Sequence, residues 1–210
     1  MGPMRSTRDH GTRRHVTGPH ATGTRAISAP LRRRLAEIAW ASIRHGLAHH
    51  RSVDLTGQAF PPRLLAHQSA FVTLHRGDTL RGCVGSIETY RPLVEDVAAN
   101  AYAAAFEDPR FEAVRADELP DLAVHIAVLS ATTVIAFASE QDLCAKLRPG
   151  IDGIVIEQGE RRATFLPAVW DALPDPAAFL CELRHKAGIP PADGWLDLRV
   201  WRYTVDSFAA

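Results

Sequence analysis

The residues with the clearest chemical potential lie in one short segment, which reads LRGCVG over positions 80–85. A thiolate is a strong nucleophile, and a neighbouring guanidinium lowers the pKa of a thiol, so Arg81 beside Cys83 indicates a reactive cysteine. The two side chains share one face of a strand unless a bulge lies between them. A free cysteine is also among the most frequently buried residue types, and spacing alone favours Cys83 as a small packing residue.

The same segment holds two glycines, Gly82 and Gly85, inside a run that otherwise predicts a strand. Glycine in a strand costs stability, because it loses more backbone entropy on folding and contributes no side chain to the packing. The usual compensation is a bulge, or the close approach of another backbone or of a ligand. We therefore interpret both glycines as candidate positions for binding a substrate or a partner.

A second group of charged residues follows a predicted alanine-rich helix, whose small side chains let another backbone approach closely. Asp108 and Arg110 flank Pro109, which ends that helix. One interpretation is a structural ion pair between the carboxylate and the guanidinium. The other is that Arg110 reaches into a cleft and holds a carboxylate or phosphate of a ligand. The sequence leaves both open.

Histidines and cofactor motifs give little further chemistry. His125 lies on a predicted central strand, where it is either a base or a buried core residue, and the core interpretation is favoured. His45 and His49 share a helix face, but no carboxylate or cysteine stands at a suitable offset for a metal. The dinucleotide, ATP, zinc-protease, serine-hydrolase and calcium-loop motifs are missing. No metal and no cofactor is predicted.

Composition sets the class of protein. The chain has 210 residues, 46% of them hydrophobic, and a formal net charge of zero, which fits one domain or two subdomains that share a core. A neutral chain has no basic field for bulk nucleic-acid binding. No apolar run of about 18 residues occurs, so no membrane span is expected. Three cysteines far apart in the chain indicate a reducing compartment, and we expect a cytoplasmic protein.

Residues 1–27 differ from the remainder. They contain five arginines against a single acidic residue and almost no large apolar side chains. Such a segment buries too little surface to offset its ordering entropy, so we interpret it as a disordered basic leader before a folded domain at 28–207. Recruitment of nucleic acid or anionic lipid by this leader is the alternative, and binding that weakens with salt is its signature.

The remaining pattern predicts three helices and six or seven strands. The helices begin at Ser28, Pro92 and Asp175, and Gly188 ends the last one. The strands are expected near 70–75, 79–87, 122–130 (with both faces covered), 132–137, 154–157, 161–165 and 198–205. The clearest pairings are hairpins, which favours an α+β fold with mainly antiparallel sheets over a doubly wound parallel sheet.

These segments resemble the AMMECR domain family, whose prokaryotic members are called AmmeMemoRadiSam system protein A. The hexamer at 80–85 is the defining motif of that family, a second match is AAFEDPRF at 104–111, and the likeness extends over about residues 31–206. The resemblance implies an α+β fold of two unequal subdomains with the hexamer close to the cleft between them. Relatives often carry an acidic residue at the position of His125, so a mechanism that needs a carboxylate there is in doubt.

Two functions follow from the residues and the resemblance. In the first, the protein is an accessory of a Memo-like protein and a radical S-adenosylmethionine protein, and the hexamer lines a groove for a partner backbone or a small ligand. Cys83→Ser then keeps function, whereas a Cβ at Gly82 abolishes it. In the second, Cys83 is the nucleophile of a thiol-dependent enzyme, and Arg81 and Arg110 anchor a small anionic substrate.

Overall fold

The structure is a computed structural model that describes residues 26–195 and 197–210. These residues form five α-helices and eight strands. The helices are α1 (Ala29–His49), α2 (Pro62–Leu65), α3 (Leu93–Phe106), α4 (Glu140–Lys146) and α5 (Pro176–Ala187). The strands are β1 (Ala70–Arg76), β2 (Thr79–Gly85), β3 (Leu122–Leu129), β4 (Thr133–Val134), β5 (Gly153–Gln158), β6 (Arg161–Phe165), β7 (Arg199–Tyr203) and β8 (Val205–Ala209).

The first subdomain is an antiparallel sheet in the order β2-β1-β3-β8, with α1 and α3 against one face. Alternate residues of β1 and β3, such as Val72 and Ile126, are buried under these helices. Helix α3 contributes mostly alanines to this contact, among them Ala101 and Ala104. Because alanine side chains are short, the axis of α3 lies close to the sheet. This close approach determines the packing of the hexamer.

The second subdomain is an antiparallel sheet in the order β4-β7-β5-β6, with α5 against it. Trp170 and Phe179 stack in its core with ring centroids 3.7 Å apart. The predicted ends of α5 are correct: the Asp175 carboxylate accepts a hydrogen bond from the N–H of Ala178 at 2.8 Å, and Gly188 takes a left-handed conformation with φ of 70°. Both are standard helix-ending devices.

One bent ribbon links the two sheets. β3 continues into β4, and β7 continues into β8, so the two stretches run antiparallel to each other through both sheets. At the bend, the N–H of Ser130 donates to the carbonyl of Thr204 at 2.8 Å, and the N–H of Thr204 donates to Oγ of Ser130 at 2.9 Å. A small apolar cluster that includes Leu129, Val155 and Tyr203 fills the space beside this bend.

The predicted fold class is confirmed, because helices flank two four-stranded antiparallel sheets. Four details of the prediction are wrong. The sequence predicts three helices, but the structure also contains two short ones, α2 and α4. The single strand expected at 198–205 is two strands, β7 and β8, in different sheets. The strand expected at 132–137 is reduced to Thr133–Val134. Over the first half of β3, the side chains that point away from the helices are not covered, since Ala123 and His125 are exposed.

The leader prediction falls mainly on residues 1–25, which lie outside the described residues. Ile27, placed in the leader by composition, is 3% exposed in the first core, and its N–H donates to the Asp206 carboxylate at 2.6 Å. This contact ties the start of the described chain to β8. Within the described ranges, no helix has the length and apolar content needed to cross a bilayer.

Candidate functional site

The hexamer occupies β2, which is an edge strand of the first sheet. Its register with β1 shifts by one residue: Leu74 pairs with Gly82, but His75 pairs with Leu80. The shift leaves Arg81 as the extra residue of a β-bulge. The bulge breaks the alternation of side chains, so the expectation that Arg81 and Cys83 share one strand face does not apply to this chain.

The chain's own atoms fill the space beside both glycines. A Cβ added at Gly82 would overlap the carbonyl oxygen of Ala104 on α3 and lie 3.0 Å from its carbonyl carbon. A Cβ added at Gly85 would overlap the ring of Phe71 and lie 2.7 Å from the carbonyl oxygen of Ala70. Of the compensations considered for a strand glycine, the structure contains the bulge and the close approach of another backbone. No open space for a ligand adjoins either glycine Cα in the Cβ direction.

Arg81 is bound by acidic and carbonyl groups of a later segment. Its Nε and Nη2 donate to the two carboxylate oxygens of Glu118, each at 3.0 Å, and its Nη1 donates to the carbonyl of Glu112 at 2.8 Å. Both charged side chains are mostly buried, with 15% and 10% exposed. The hydrogen bonds from Arg81, followed by the N–H of Arg115, hold the pKa of Glu118 below its ordinary value. Arg81 therefore has a carboxylate partner inside the fold.

Asp108 and Arg110 bind the free backbone edge of β2 at Cys83. The N–H of Cys83 donates to Oδ2 of Asp108 at 2.9 Å, and Nη2 of Arg110 donates to the carbonyl of Cys83 at 3.2 Å. Arg110 also binds the carboxylate of Asp108 through Nε at 2.9 Å and Nη2 at 2.6 Å. An edge strand exposes unpaired N–H and C=O groups, and this pair supplies a partner for one of each. We call the three residues the edge clasp.

The edge clasp favours the ionised form of Asp108. The side chain of Asp108 is 3% exposed, whereas the side chain of Arg110 is 54% exposed. Hydrogen bonds from the Arg110 side chain, together with the N–H groups of Cys83 and Arg110, hold the pKa of Asp108 well below its usual range despite the opposing effect of burial. The structure therefore contains the ion pair of the first alternative. Because the Arg110 side chain is 54% exposed, the second alternative, in which it holds an anionic ligand, stays a prediction.

The thiol of Cys83 lies on the sheet face away from the helices. Cys83 is half-buried, and its Sγ is 3.3 Å from Oγ1 of Thr73, the residue opposite it on β1. Thr73 pairs on its other side with His125 of β3, so the three side chains form a row across three strands. The core interpretation of His125 is wrong: the residue is exposed, and its ring meets that of His75 edge to face with centroids 5.4 Å apart.

A concavity of about 500 Å³ brings Arg81 and Arg110 together beside the edge clasp. Among the residues that the structure describes, those that line this concavity are Arg81, Arg110, Phe111, Glu112, Ala113, Arg115 and Glu118. Cys83 is not among these residues, because its side chain projects from the sheet face while its backbone faces Arg110. The predicted constellation is therefore split: the two arginines share one concavity, and the thiol lies outside its lining.

Two partners that complete this region were not identified from the sequence. Glu118 binds Arg81 from 37 residues away, and its only local sign is its position three residues after Arg115, where it accepts the Arg115 N–H. Thr73 contacts the thiol through strand pairing, which has no motif. His45 and His49 have ring centroids 4.2 Å apart, and no group of three or more metal-ligand side chains occurs among the described residues.

Two antiparallel sheets that share a ribbon, with one edge strand closed by an Asp–Arg pair, define a class of α+β protein with two unequal subdomains. The chain belongs to the AMMECR1 family, whose sequence model matches residues 36–208. The predicted resemblance is therefore confirmed.

Relatives and a solved structure agree with this membership. A protein of Methanothermobacter thermautotrophicus is 34% identical over 183 residues, which cover 84% of this chain and 92% of the relative. A protein of Thermotoga maritima is 36% identical over 154 residues, which cover 72% and 83%. The crystal structure of the uncharacterized protein PH0010 from Pyrococcus horikoshii superposes with a TM-score of 0.73 at 32% identity, over 84% of this chain and 89% of that one.

Proposed function

We propose that this protein is a cytoplasmic accessory protein that binds a Memo-like protein and a radical S-adenosylmethionine protein, and that the chemistry belongs to those partners. The contact surface is the outer face of the first sheet, defined as Thr73, His75, Cys83, Ala123 and His125. Family membership and the resemblance of the hexamer supply the partner classes. The exposure of this face, next to the hexamer, is the observation that carries the proposal.

The outer face suits protein binding for three reasons. Among the described residues, helices lie only on the opposite face of the sheet, which antiparallel sheets permit. The outer face contains no carboxylate, lysine or arginine side chain, so little fixed charge has to be desolvated when a partner docks. At one end of β1, Phe71 packs against the apolar cluster between the sheets, and Thr73 and His75 further along the same face are likewise half-buried. The outer face therefore begins beside that apolar cluster.

The same contacts weigh against the thiol-enzyme alternative. Catalysis with an anionic substrate needs Arg81 and Arg110 to face the thiol, but both bind carboxylates and backbone carbonyls of the fold. Cys83 also has no histidine within hydrogen-bond reach among its described contacts; its Sγ contacts Thr73. Activation of a thiol requires a neighbouring base or cation. The Arg110 guanidinium is near enough to Cys83 to interact with it electrostatically, but that guanidinium is already paired with Asp108. The accessory role needs neither a base nor a cation.

The test is co-purification of the full chain with each partner, followed by titration of the complex. His125→Lys should weaken binding at least about five-fold, because an unpaired ammonium group buried in an interface costs about 1–3 kcal/mol or more. His49→Lys is the matched control, since His49 is an exposed histidine on α1, away from this face. It should bind as the wild type does. Cys83→Ser should also retain the complex, because the hydroxyl keeps a contact with Thr73.

Several outcomes would count against the proposal. If the wild-type chain binds neither partner, the accessory role is wrong. If His125→Lys and His49→Lys bind equally well, the interface lies on another surface. If Cys83→Ser folds and binds both partners but the reconstituted system loses all turnover, the thiol takes part in chemistry, and the enzyme alternative replaces the accessory one.

A further inference from the structure

The second subdomain contains a buried arginine without an acidic partner. Arg184, on α5, is 7% exposed. Its Nη2 donates to the carbonyl of Pro190 at 2.9 Å, whereas its Nε is buried with no hydrogen-bond partner. Within the described residues, no carboxylate lies at salt-bridge distance from it, unlike Arg81, Arg110 and Arg148. A buried charge is ordinarily paired, so the missing anion requires an explanation.

A pocket of about 460 Å³ adjoins this arginine. The walls of the pocket are mostly apolar and come from the end of α5 and the loop that follows. Glu140 and His185 lie at its rim. The other lining residues are Cys181, Gly188, Ile189, Pro190, Pro191 and Trp195. The guanidinium lies over the Trp195 ring, 4.5 Å from its centroid. Stacking fixes the plane of a guanidinium. Nε of Arg184 is closed to solvent and Nη2 already donates to Pro190, so Nη1 is the nitrogen left to donate to a ligand in the pocket.

The position of Arg184 in the fold does not account for a buried charge by itself. A cation in the last turn of a helix interacts favourably with the carbonyl end of the helix, and α5 carries Arg184, His185 and Lys186 there. That interaction is small and is available equally to an exposed side chain such as His185. Desolvation of a guanidinium is a larger cost, which an anion in the pocket would offset.

We propose that this pocket binds a small apolar monocarboxylate, with Arg184 as the residue that holds the carboxylate. A planar carboxylate matches the edge of a guanidinium, and apolar walls around a few polar groups are typical of small-molecule sites. A phosphate dianion fits less well, because one arginine faces it and Glu140 on the rim adds negative charge. The carboxylate belongs either to a simple acid or to an amino acid, whose ammonium group would meet Glu140.

The experiment measures binding of three probes to the full chain: 3-phenylpropanoate, 4-methylpentanoate and L-phenylalanine. Two signals report on the pocket, because Trp195 and Cys181 line it and Cys181 is exposed. They are the part of the tryptophan fluorescence change that Trp195→Phe removes, and the alkylation rate of Cys181 mapped by mass spectrometry. At least one probe should bind saturably at millimolar or lower concentration and slow Cys181 alkylation, with no change at Cys83. Tighter binding of L-phenylalanine than of 3-phenylpropanoate indicates that the natural ligand is an amino acid. Tighter binding of 3-phenylpropanoate indicates that it is a simple acid.

Two comparisons show whether Arg184 holds the carboxylate. The amide 3-phenylpropanamide, which has the same shape without the charge, should bind at least about ten-fold more weakly to the wild-type chain. Arg184→Met should cause a similar loss, whereas Arg162→Met, at a half-exposed arginine on β6, should cause none. The amide comparison stands even if Arg184→Met fails to fold. Absence of saturable binding by all three acids up to about 10 mM, or equal binding of acid and amide, overturns the proposal.

Discussion

Gly82→Ala should lower the free energy of unfolding by about 3 kcal/mol, near the upper end of typical overpacking costs. The added Cβ would overlap the carbonyl oxygen of Ala104, well inside the 3.0 Å below which Cβ contacts essentially never occur. The clash is with the backbone of α3, which cannot move away by a rotamer change. Denaturant-induced unfolding of the variant and the wild type, followed by circular dichroism, measures the difference.

Gly77→Ala, in the turn of the same hairpin, is the matched control. Its φ is +56°, and nothing lies within 4 Å of an added Cβ, so only the left-handed backbone conformation opposes the substitution. We expect a loss of about 1 kcal/mol. If Gly82→Ala proves no more destabilising than Gly77→Ala, the close contact between β2 and α3 is not as described. A loss of function in Gly82→Ala would therefore report on folding before it reports on any ligand.

Asp108→Asn should destabilise the protein by about 2 kcal/mol at pH 7, a typical value for hydrogen bonds to a charged group. The substitution weakens the bonds from Arg110 and places an amide where the N–H of Cys83 needs an acceptor. Since the amide keeps a single acceptor oxygen, either the N–H of Cys83 or a donor of Arg110 then faces its NH2 group. Unfolding measurements over a range of pH test both the size of the effect and its origin in the carboxylate.

The stabilising contribution of Asp108 should decrease as the pH falls. The pKa of Asp108 is lowered in the folded state by Arg110 and by two backbone N–H groups. A carboxyl group of this kind stabilises the fold above the pKa of an unfolded aspartate, about 3.9, and loses that contribution as the pH falls toward the folded value. The gap between wild type and Asp108→Asn should therefore narrow below about pH 4.

Asp117→Asn is the control for a solvent-exposed pair. Asp117 binds Arg115 with both side chains at least 70% exposed. Exposed ion pairs contribute little to stability, so this variant should resemble the wild type at every pH. Equal effects of Asp108→Asn and Asp117→Asn would mean that the edge clasp is an ordinary surface pair.

Local patterns predicted the fold class and the three long helices, because these depend on residues close together in the chain. Asp175 and Gly188 mark helix ends through backbone chemistry that acts within one turn. No local residue pattern predicts that residues 198–205 divide between two strands. The apolar alternation of this segment continues through Thr204, and only pairing with distant strands places β7 and β8 in separate sheets. The exposure of His125 was missed because its neighbour Ala123 is small enough to suit either environment.

The candidate site was predicted in its residues but not in its arrangement. The sequence singled out Cys83, Arg81 and the pair Asp108 and Arg110, and the structure brings all four to one edge of β2. The position of the bulge at Arg81 and the pairing of Arg81 with Glu118 could not be predicted from the sequence, because strand register and long-range pairing depend on the assembled sheet. The alanines of α3 and the glycine of β2 were each interpreted as signs of close backbone approach, and they contact each other.

The ribbon that links the two sheets has a consequence for how the chain is made. β3 ends at Leu129, but its partner strand β8 begins only at Val205. During synthesis on the ribosome, the edge of β3 stays without its partner until the second sheet has emerged as well. An apolar strand with an open edge invites pairing with other chains, so the nascent protein is prone to aggregation during this interval.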